Sequence, residues 1–266
     1  MSSLPATSGL ISVLGFGYDN NKKDHRVVKI SYSRFDNNKG FNPLVEVYSV
    51  WERIWKTIPA DYLADNSISS VSFSHCFLNG VIHWLAFETG PFNYVAKWVL
   101  LFNVVEETFQ KMELPEAIVK MLTTCTGTPD LFEYKTKLSL LHCEDFECHM
   151  STFAKCQIWV KEEEESCWCM ILNITVDDDH YLLSQVAYLD KDGKLFGFYR
   201  KSDRVMVLYD VSKRQFIELG FHYSYDASSK FASFTDSLVL LDQDTTDLTK
   251  MMHSKCTSTH LQLEMN

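Results

Sequence analysis

The sequence has few of the residues that usually build turns, and it has no excess of positive charge. Only 6 prolines and 10 glycines occur among its 266 residues, so most turns have to be built from Asn, Asp, Ser and Lys. The formal net charge is −10. Nucleic acids and anionic membrane surfaces both attract basic segments, so we expect neither of them to be a partner of this acidic chain.

Long apolar runs and a secretory leader are also missing. The longest apolar stretches, such as residues 98–102, are far shorter than the ~20 residues that a membrane-spanning helix needs. Residues 1–15 lack the basic segment and apolar core of a secretory signal. We therefore expect an intracellular protein, cytoplasmic or nuclear, whose 8 cysteines stay reduced.

What the sequence does contain is typical of β-structure. Aromatic residues make up 14% of the chain, and aromatic side chains favour pleated, half-buried surfaces. Apolar and polar residues alternate with period two in the segments 45–49, 137–141 and 205–210, which predicts strands. The only clear helix signal is the segment 115–122, with Pro115 as its first residue.

Three segments predict β-hairpins. Residues 77–84 contain the turn Asn79-Gly80, which is the strongest short-range hairpin signal. Residues 187–199 place Asp192-Gly193 between two strands, and residues 157–174 join two strands through an acidic loop. Together with the alternating segments, these hairpins predict a nearly all-β protein.

An internal repeat narrows the choice of fold. The segments 45–59, 99–115, 156–174 and 205–220 share one plan, in which a strand ending in an aromatic residue is followed by a polar turn and a second strand. Tyr48, Phe102, Trp159 and Tyr209 are then equivalent, at steps of 54, 57 and 50 residues. This interval predicts a kelch-like β-propeller, complete or incomplete, with about four to five four-stranded blades. A β-sandwich is the competing architecture.

The chain divides by composition into one domain with two loose ends. Residues 1–11 are small and polar and are expected to be flexible. Residues 12–242 carry the succession of strands and form a single propeller-type domain. Residues 243–266 are rich in Thr, Ser, Lys and Met without periodicity, so we expect a disordered tail.

Two segments near the start of the sequence, GFGYD at 15–19 and DHRVVKI at 24–30, are close together. They resemble the opening of the F-box-associated (type 1, kelch-like) domain of plant F-box proteins, with His25 in place of an aromatic residue and Arg26 in place of Lys. The later family segments follow in order. They are VEVYSVWERIW, FLNGVIHWLA, LLFNVVEETFQKMELPE, QIWV with SCW, and GKLF with VLYDVSKRQF, so that the resemblance covers residues 12–242.

The resemblance implies a role in substrate recognition for a ubiquitin ligase. In that family an F-box precedes the domain and docks on the adaptor of a cullin–RING ligase, while the domain captures the target protein. No F-box precedes residue 12 here, so we expect adaptor binding only if an F-box is present upstream. The repeat count also implies an incomplete ring with an unpaired strand edge and a tendency to associate.

Other residue clusters have simpler interpretations than catalytic or metal sites. His142-Cys143 and Cys148-His149 could supply zinc ligands, but no second Cys/His cluster has suitable spacing, so buried thiols and a surface loop are predicted instead. The acidic runs 162–165 and 177–180 lack the ligand spacing and glycine of a calcium loop. Solvated turns that could attract a basic partner are predicted there.

We find no catalytic, cofactor-binding or metal-binding residues in the sequence. All six tryptophans, at 51, 55, 84, 98, 159 and 168, are predicted to pack in the core or between blades. The function predicted is therefore a non-enzymatic protein-binding module. It would contact a target protein through loops of one propeller face, with residues 59–70, 88–96 and 123–135 as the longest candidates. A propeller enzyme acting on a carbohydrate or small metabolite is the alternative, and a truncated, poorly folding product is a third.

Overall fold

The structure, a computed structural model, describes most of the chain between residues 10 and 222. The described ranges are 10–33, 43–64, 68–89, 94–124, 128–148, 151–162, 167–177, 181–189, 194–200 and 202–222. Two compact units are present, one formed by residues 1–144 with 155–175 and the other by residues 145–154 with 176–266. Each unit is described separately below.

Sixteen strands and two short helices account for nearly all of the described residues. The strands are β1 (Leu10–Asp19), β2 (Asp24–Ser33), β3 (Leu44–Ser49), β4 (Ile54–Ile58), β5 (Ser70–Leu78), β6 (Val81–Thr89), β7 (Tyr94–Asn103), β8 (Thr108–Glu113), β9 (Thr128–Tyr134), β10 (Lys137–Cys148), β11 (Ser151–Lys161), β12 (Trp168–Asp177), β13 (Tyr181–Leu189), β14 (Lys194–Arg200), β15 (Val205–Asp210) and β16 (Gln215–His222). The helices are α1 (Asp61–Ala64) and α2 (Glu116–Thr124).

The strands form four sheets, each made of four strands that are consecutive in the chain. The orders are β1-β2-β3-β4, β5-β6-β7-β8, β9-β10-β11-β12 and β13-β14-β15-β16. The first three sheets lie in the first unit, apart from a few residues at the ends of β10, β11 and β12, and the fourth sheet lies in the second unit. Four-stranded antiparallel sheets of this kind are the blades of a propeller.

The sheets confirm the repeat that the sequence predicts. Tyr48, Phe102, Trp159 and Tyr209 lie in β3, β7, β11 and β15, which are the third strands of their sheets. In three sheets the aromatic ring meets a second ring directly across the ladder, in the pairs Tyr48–Trp55, Phe102–Phe109 and Tyr209–Phe216. Their ring centroids are 5.0, 4.8 and 5.1 Å apart. Cross-strand aromatic pairs of this kind stabilise the outer half of each sheet.

The three predicted hairpins are present. Leu78 pairs with Val81 across the turn Asn79-Gly80, and both turn residues have positive φ, as a type I′ turn requires. β13 pairs with β14, and β11 neighbours β12, while the predicted turn Asp192-Gly193 and residues 163–166 of the acidic loop lie outside the described residues. The predicted helix forms as α2, but one residue later than expected: the C=O of Pro115 accepts the first helical N–H bonds, so Pro115 caps the helix instead of starting it.

The core of the first unit explains why the second sheet, β5-β6-β7-β8, is apolar on both faces. Trp84, Leu100 and Phe102 pack with residues of β1–β4, such as Val28 and Val47. The alternate residues of the same strands face the other way, so their neighbours Leu85 and Val99 pack with β9, β10, β12 and α2, through Leu131, Leu140, Trp168 and Ile118. Because side chains alternate across a strand, one sheet can separate two hydrophobic clusters.

Parts of the predicted domain plan fall outside the described residues. Of the N-terminal stretch 1–11, residues 10 and 11 belong to β1 and the first nine are outside the description, as is the whole of the predicted tail 243–266. The described portion contains four sheets, in line with the predicted four to five blades.

Candidate protein-recognition surface

In the first unit, tight turns and long connections lie at opposite ends of the sheets. Successive strands run in opposite directions, so the turns 20–23, 50–53, 79–80, 104–107 and 135–136 share one end. The described residues of the connections 59–69 and 114–127, which are 59–64, 68–69 and 114–124, lie toward the other end, as do the last residues of β6 and the first residues of β7. Of the three loops predicted to bind a partner, the described residues of 59–70 and 88–96 lie at that end, whereas 123–135 extends along β9 to the turn 135–136 at the opposite end.

Those three loops are shorter than the sequence suggested. The segment 59–70 contains α1, and the prediction of a loop over 123–135 is wrong because residues 128–134 form β9. Within 88–96, residues 88–89 end β6 and 94–96 begin β7. Residues 65–67, 90–93 and 125–127 lie outside the described part of the chain.

Three tight turns, 20–23 and 104–107 in the first unit and 211–214 in the second, share a local design that does not need glycine. A side-chain carboxylate or amide Oδ1 at the end of a strand accepts backbone N–H bonds from residues two and three positions later, and the last turn residue adopts a left-handed conformation. The accepting residues are Asp19, Asn103 and Asp210, at distances of 2.9–3.1 Å, and the left-handed residues are Lys23, Glu107 and Arg214. These turns keep their shape because their own side chains satisfy the backbone.

A buried charged cluster fixes the turn that carries Trp51. Arg26 lies between two carboxylates, with its Nε 3.1 Å from Asp24 Oδ2 and its Nη2 3.6 Å from Asp19 Oδ2, and all three side chains are almost fully buried. Asp24 also accepts the Ser49 hydroxyl at 2.6 Å and the Trp51 N–H at 2.8 Å. Two adjacent turns are thereby tied to one buried ion pair network, which restrains the backbone of Trp51.

Trp51 itself projects into solvent. Its side chain is 82% exposed, so the prediction that all six tryptophans pack internally is wrong for this residue. Trp84, Trp98 and Trp168 are buried as expected. A large apolar side chain that is held rigidly and left uncovered is a typical anchor of a protein interface. The position of Trp51 in the sequence could have indicated this exposure. Trp51 is the second residue of a turn, and the equivalent positions in two other turns are occupied by Val105 and Ser212.

Further exposed apolar residues extend this surface toward the next sheet. Ile54 on β4 is 54% exposed, and Val105 in the turn 104–107 is also exposed. Lys56 Nζ on β4 contacts Glu107 Oε2 of that turn at 2.5 Å, which places β4 and the turn side by side. We call Trp51, Ile54, Val105 and the Lys56–Glu107 pair the turn surface.

A small pocket lies between the second and third sheets. It has a volume of about 190 Å³ and mixes apolar side chains with Lys137, Lys161 and His83. Burial, opposed in part by a hydrogen bond to the C=O of Cys76, lowers the pKa of His83. The residues that line this pocket include no carboxylate, and its volume is below the range of small-molecule sites.

The possible zinc ligands are placed in a strand. His142 and Cys143 lie in β10 and are buried, so the surface loop predicted there is wrong for these two residues, while the predicted buried thiol is confirmed for Cys143. His149 lies outside the described residues. Burial, with a smaller effect of Lys155, lowers the pKa of His142 to about 4. Burial and a hydrogen bond with Cys156 raise the pKa of Cys143. Across the described ranges no three His, Cys, Asp or Glu residues are arranged to hold a metal ion.

The acidic runs are only partly described. Glu162 pairs with Lys137 at the end of β11, and Asp177 is the last residue of β12, while residues 163–166 and 178–180 lie outside the description. In the second unit, hydrogen bonds from Arg200 lower the pKa of Asp203 to about 2. Hydrogen bonds from Ser212 and the Lys213 backbone lower that of Asp210. Both shifts are opposite to the one that a general acid requires.

Comparison with known proteins identifies one family. The model of the "F-box associated beta propeller domain" matches residues 8–241, and it confirms the predicted propeller-type fold. No curated protein matches the sequence. None of the helices in the described residues is long and apolar enough to cross a membrane.

Several solved structures resemble the chain weakly. An acylaminoacyl peptidase in complex with Z-Gly-Gly-Phe-chloromethyl ketone has 9% identity and a TM-score of 0.43 over 79% of this chain and 33% of that one. An endo-arabinase from Bacteroides thetaiotaomicron has 12% identity and a TM-score of 0.41, over 84% of each chain. The β-propeller domain of the Trilobed protease from Pyrococcus furiosus has 10% identity and a TM-score of 0.33, over 80% and 68%. The chain spans about a third of the length of the peptidase, and likeness at this level says nothing about activity.

Proposed function

The chain belongs to the family of F-box-associated β-propeller domains, and from that premise we propose that it binds a target protein without catalysing a reaction. In this role it is the target-recognition part of an F-box subunit of a cullin–RING ubiquitin ligase. It would dock on the ligase adaptor only if an F-box is present upstream of this domain. The protein would act in the cytoplasm or the nucleus, where such ligases find their targets.

The observation that carries the proposal is the exposed side chain of Trp51 on a rigid turn. Tryptophan is the residue type most enriched among interface hot spots, and its backbone N–H is held by the buried carboxylate of Asp24. A side chain whose backbone is already ordered loses less entropy on binding. The apolar Ile54 and Val105 beside it supply the contacts that would exclude water around such an anchor.

Affinity capture with the full chain as bait tests this function. We expect a specific partner protein to be recovered by the unchanged chain and to be lost with Trp51→Ala. Phe73→Ala is the matched control, because Phe73 is also an exposed aromatic residue but lies within β5, away from the turns. Both variants should unfold at the same temperature as the unchanged chain, since neither side chain is buried.

The adaptor gives a second readout. The chain fused to an upstream F-box should recover both the partner and the ligase adaptor, and the partner should become ubiquitinated in a reconstituted reaction. Recovery of the same proteins by the unchanged chain and by Trp51→Ala would contradict the role of the turn surface. Failure of the fused chain to direct ubiquitination of a bound partner would contradict the ligase role.

A further inference from the structure

The turn surface is bordered by a second turn that carries two lysines. Residues 20–23 connect β1 and β2 at the same end of the first sheet as the turn 50–53, and all four of them are exposed. Their charged members are Lys22 and Lys23. Within the described ranges neither lysine forms an ion pair with a carboxylate. We call residues 20–23 the lysine turn.

Two hydrogen bonds place the lysine turn directly beside Trp51. Asp24 follows the turn, and its Oδ1 accepts the N–H of Trp51 at 2.8 Å. The C=O of the next residue, His25, accepts the N–H of Val50 at 3.0 Å. The first residues of β2 therefore contact the turn that carries the exposed indole, so the lysines and the indole belong to one continuous surface.

One buried guanidinium holds both turns. Arg26 lies between the carboxylates of Asp19 and Asp24. Asp19 Oδ1 accepts the N–H groups of Asn21 and Lys22 at 3.0 and 3.1 Å, so it orders the lysine turn, whereas Asp24 orders the other turn. Because the two carboxylates share one cation, the backbones of both turns are fixed relative to each other before a partner binds. Ordering in advance lowers the entropy cost of binding.

The first sheet leaves the lysine turn positive although the chain has a net charge of −10. The nearest carboxylates, those of Asp19 and Asp24, are buried against Arg26 and accept hydrogen bonds from backbone and hydroxyl donors. In the turn 50–53, Glu52 and Arg53 cancel in formal charge. The exposed charge that is left on this side of the turn surface is that of the two lysine ammonium groups.

The second sheet contributes a charge of the opposite sign. Glu107 is paired with Lys56, and Glu106 is exposed beside Val105. The apolar part of the turn surface is therefore bordered by lysines in the first sheet and by a carboxylate in the second. A partner meets complementary charge if it places acidic side chains over the lysine turn.

We propose that the turn surface and the lysine turn together bind a segment of the target protein in which an apolar side chain is flanked by Asp or Glu. The apolar side chain packs on the indole of Trp51, and the carboxylates pair with Lys22 and Lys23. This inference rests on the proposed function, because it names the chemical class of the segment that the domain captures.

A display library of random short peptides tests which chemistry this surface prefers. The library is selected on the full chain and counter-selected on Trp51→Ala. We expect the enriched peptides to combine apolar residues with Asp or Glu, and a synthetic copy of one of them to lose affinity as the salt concentration increases. Enrichment of basic or uncharged peptides, or no enrichment that depends on Trp51, would overturn the proposal.

Charge-reversed variants show whether the lysines supply this preference. Lys22→Glu combined with Lys23→Glu should weaken binding of the selected acidic peptide at least about tenfold. The matched control combines Lys120→Glu with Lys135→Glu, which changes the net charge equally at exposed positions on α2 and between β9 and β10, and its effect should be much smaller. Glu106→Gln should bind the peptide at least as tightly as the unchanged chain. Equal losses from the two lysine pairs would contradict the proposal.

Two further outcomes distinguish this inference from the function beneath it. If the captured partner is lost with Trp51→Ala but retained when the lysine turn is reversed in charge, the domain binds a target and the inference is wrong. If sedimentation shows a dimer that Trp51→Ala abolishes, the occupant is a second copy and the inference is also wrong. Loss of partner and peptide with both changes, in a monomeric chain, supports it. Unfolding curves check that each variant folds, and Lys22→Gln with Lys23→Gln replaces the reversed pair if that one does not.

Discussion

Gly15 lies directly against the indole of Trp84. A Cβ placed on Gly15 would be 2.1 Å from Trp84 Cζ2 and 2.9 Å from Ile82 Cγ2, distances at which atoms overlap. Trp84 is fully buried, and its Nε1 donates a hydrogen bond to the C=O of Leu14 at 3.4 Å. A residue with a Cβ therefore does not fit at Gly15, the first glycine of the GFGYD segment. The backbone of β1 at this position contacts the Trp84 side chain of β6 in the next sheet directly.

Replacing this glycine should destabilise the first unit. Gly15→Ala forces the indole of Trp84 or the strand β1 to move, and overpacking of this kind costs about 1–3 kcal/mol of unfolding free energy. Chemical denaturation followed by tryptophan fluorescence measures the loss. Since Trp84 is the obstacle, Gly15→Ala should cost less in a Trp84→Phe background, which a double-mutant cycle detects.

Additive effects in that cycle would contradict the packing argument. If Gly15 mattered only for backbone flexibility, Gly15→Ala would lower the free energy of unfolding by the same amount with Trp or with Phe at position 84. Gly80 provides the contrast, because no atom lies within 4 Å of a Cβ built there and its φ is +79°. Gly80→Ala should be destabilising through backbone strain alone and should be unaffected by Trp84→Phe.

The repeat could be predicted from the sequence because it depends on interactions between residues that are close together in the chain. An aromatic residue, a polar residue that accepts backbone N–H bonds and a four-residue turn recur around Tyr48, Phe102 and Tyr209, and each part of that pattern acts over a few residues. The succession of sheets follows from it. The family resemblance extended the same inference to the whole domain, and the family match agrees with it.

The incorrect predictions concern segments whose structure depends on contacts with residues that are distant in the sequence. Residues 128–134 are predicted as part of a loop, yet they pair with β10 as an edge strand, where Pro129 is tolerated. α1 has only four residues, too few to show helical periodicity. The exposure of Trp51 agrees with its position in a turn, but the backbone of that turn is held by the Asp24–Arg26 network, and no short-range pattern reveals such a network.

Arg26 should be among the most sensitive residues of the first unit. Arg26→Met would leave the carboxylates of Asp19 and Asp24 buried without a cation, and removing one partner of a buried ion pair typically costs about 3–5 kcal/mol. Thermal and chemical unfolding measure this loss. Because Asp24 also holds the Trp51 N–H, any Arg26→Met protein that folds should lose affinity for the captured partner as well.

The matched control for this substitution is Arg200→Met. Arg200 also pairs with two carboxylates, those of Asp203 and Glu218, but the pairs are exposed to solvent. Exposed ion pairs contribute little to stability, so Arg200→Met should have a much smaller effect. Similar losses from the two substitutions would show that the burial of the Arg26 network is not what makes it important.

His142 should make the stability of the protein depend on pH. Its side chain is buried in β10, its Nε2 has no hydrogen-bond partner among the residues that the structure describes, and burial lowers its pKa from 6.5 to about 4. Between these two values the unfolded chain binds a proton that the folded chain does not. The free energy of unfolding therefore falls as the pH decreases through this window, by about 3 kcal/mol in total, and it is unaffected by His142 above it.

His142→Leu should remove this part of the pH dependence. The substitution deletes the buried unpaired nitrogen and the proton uptake together, so the variant should equal or exceed the stability of the unchanged chain at pH 5. Urea unfolding at a series of pH values from 7 down to 4 gives the comparison. A residual slope is expected, because burial also lowers the pKa of His83 and the same sign of pH dependence follows from it. An unchanged slope in His142→Leu would mean that His142 takes up its proton in the folded protein as readily as in the unfolded chain, and that its burial in β10 is incomplete in solution.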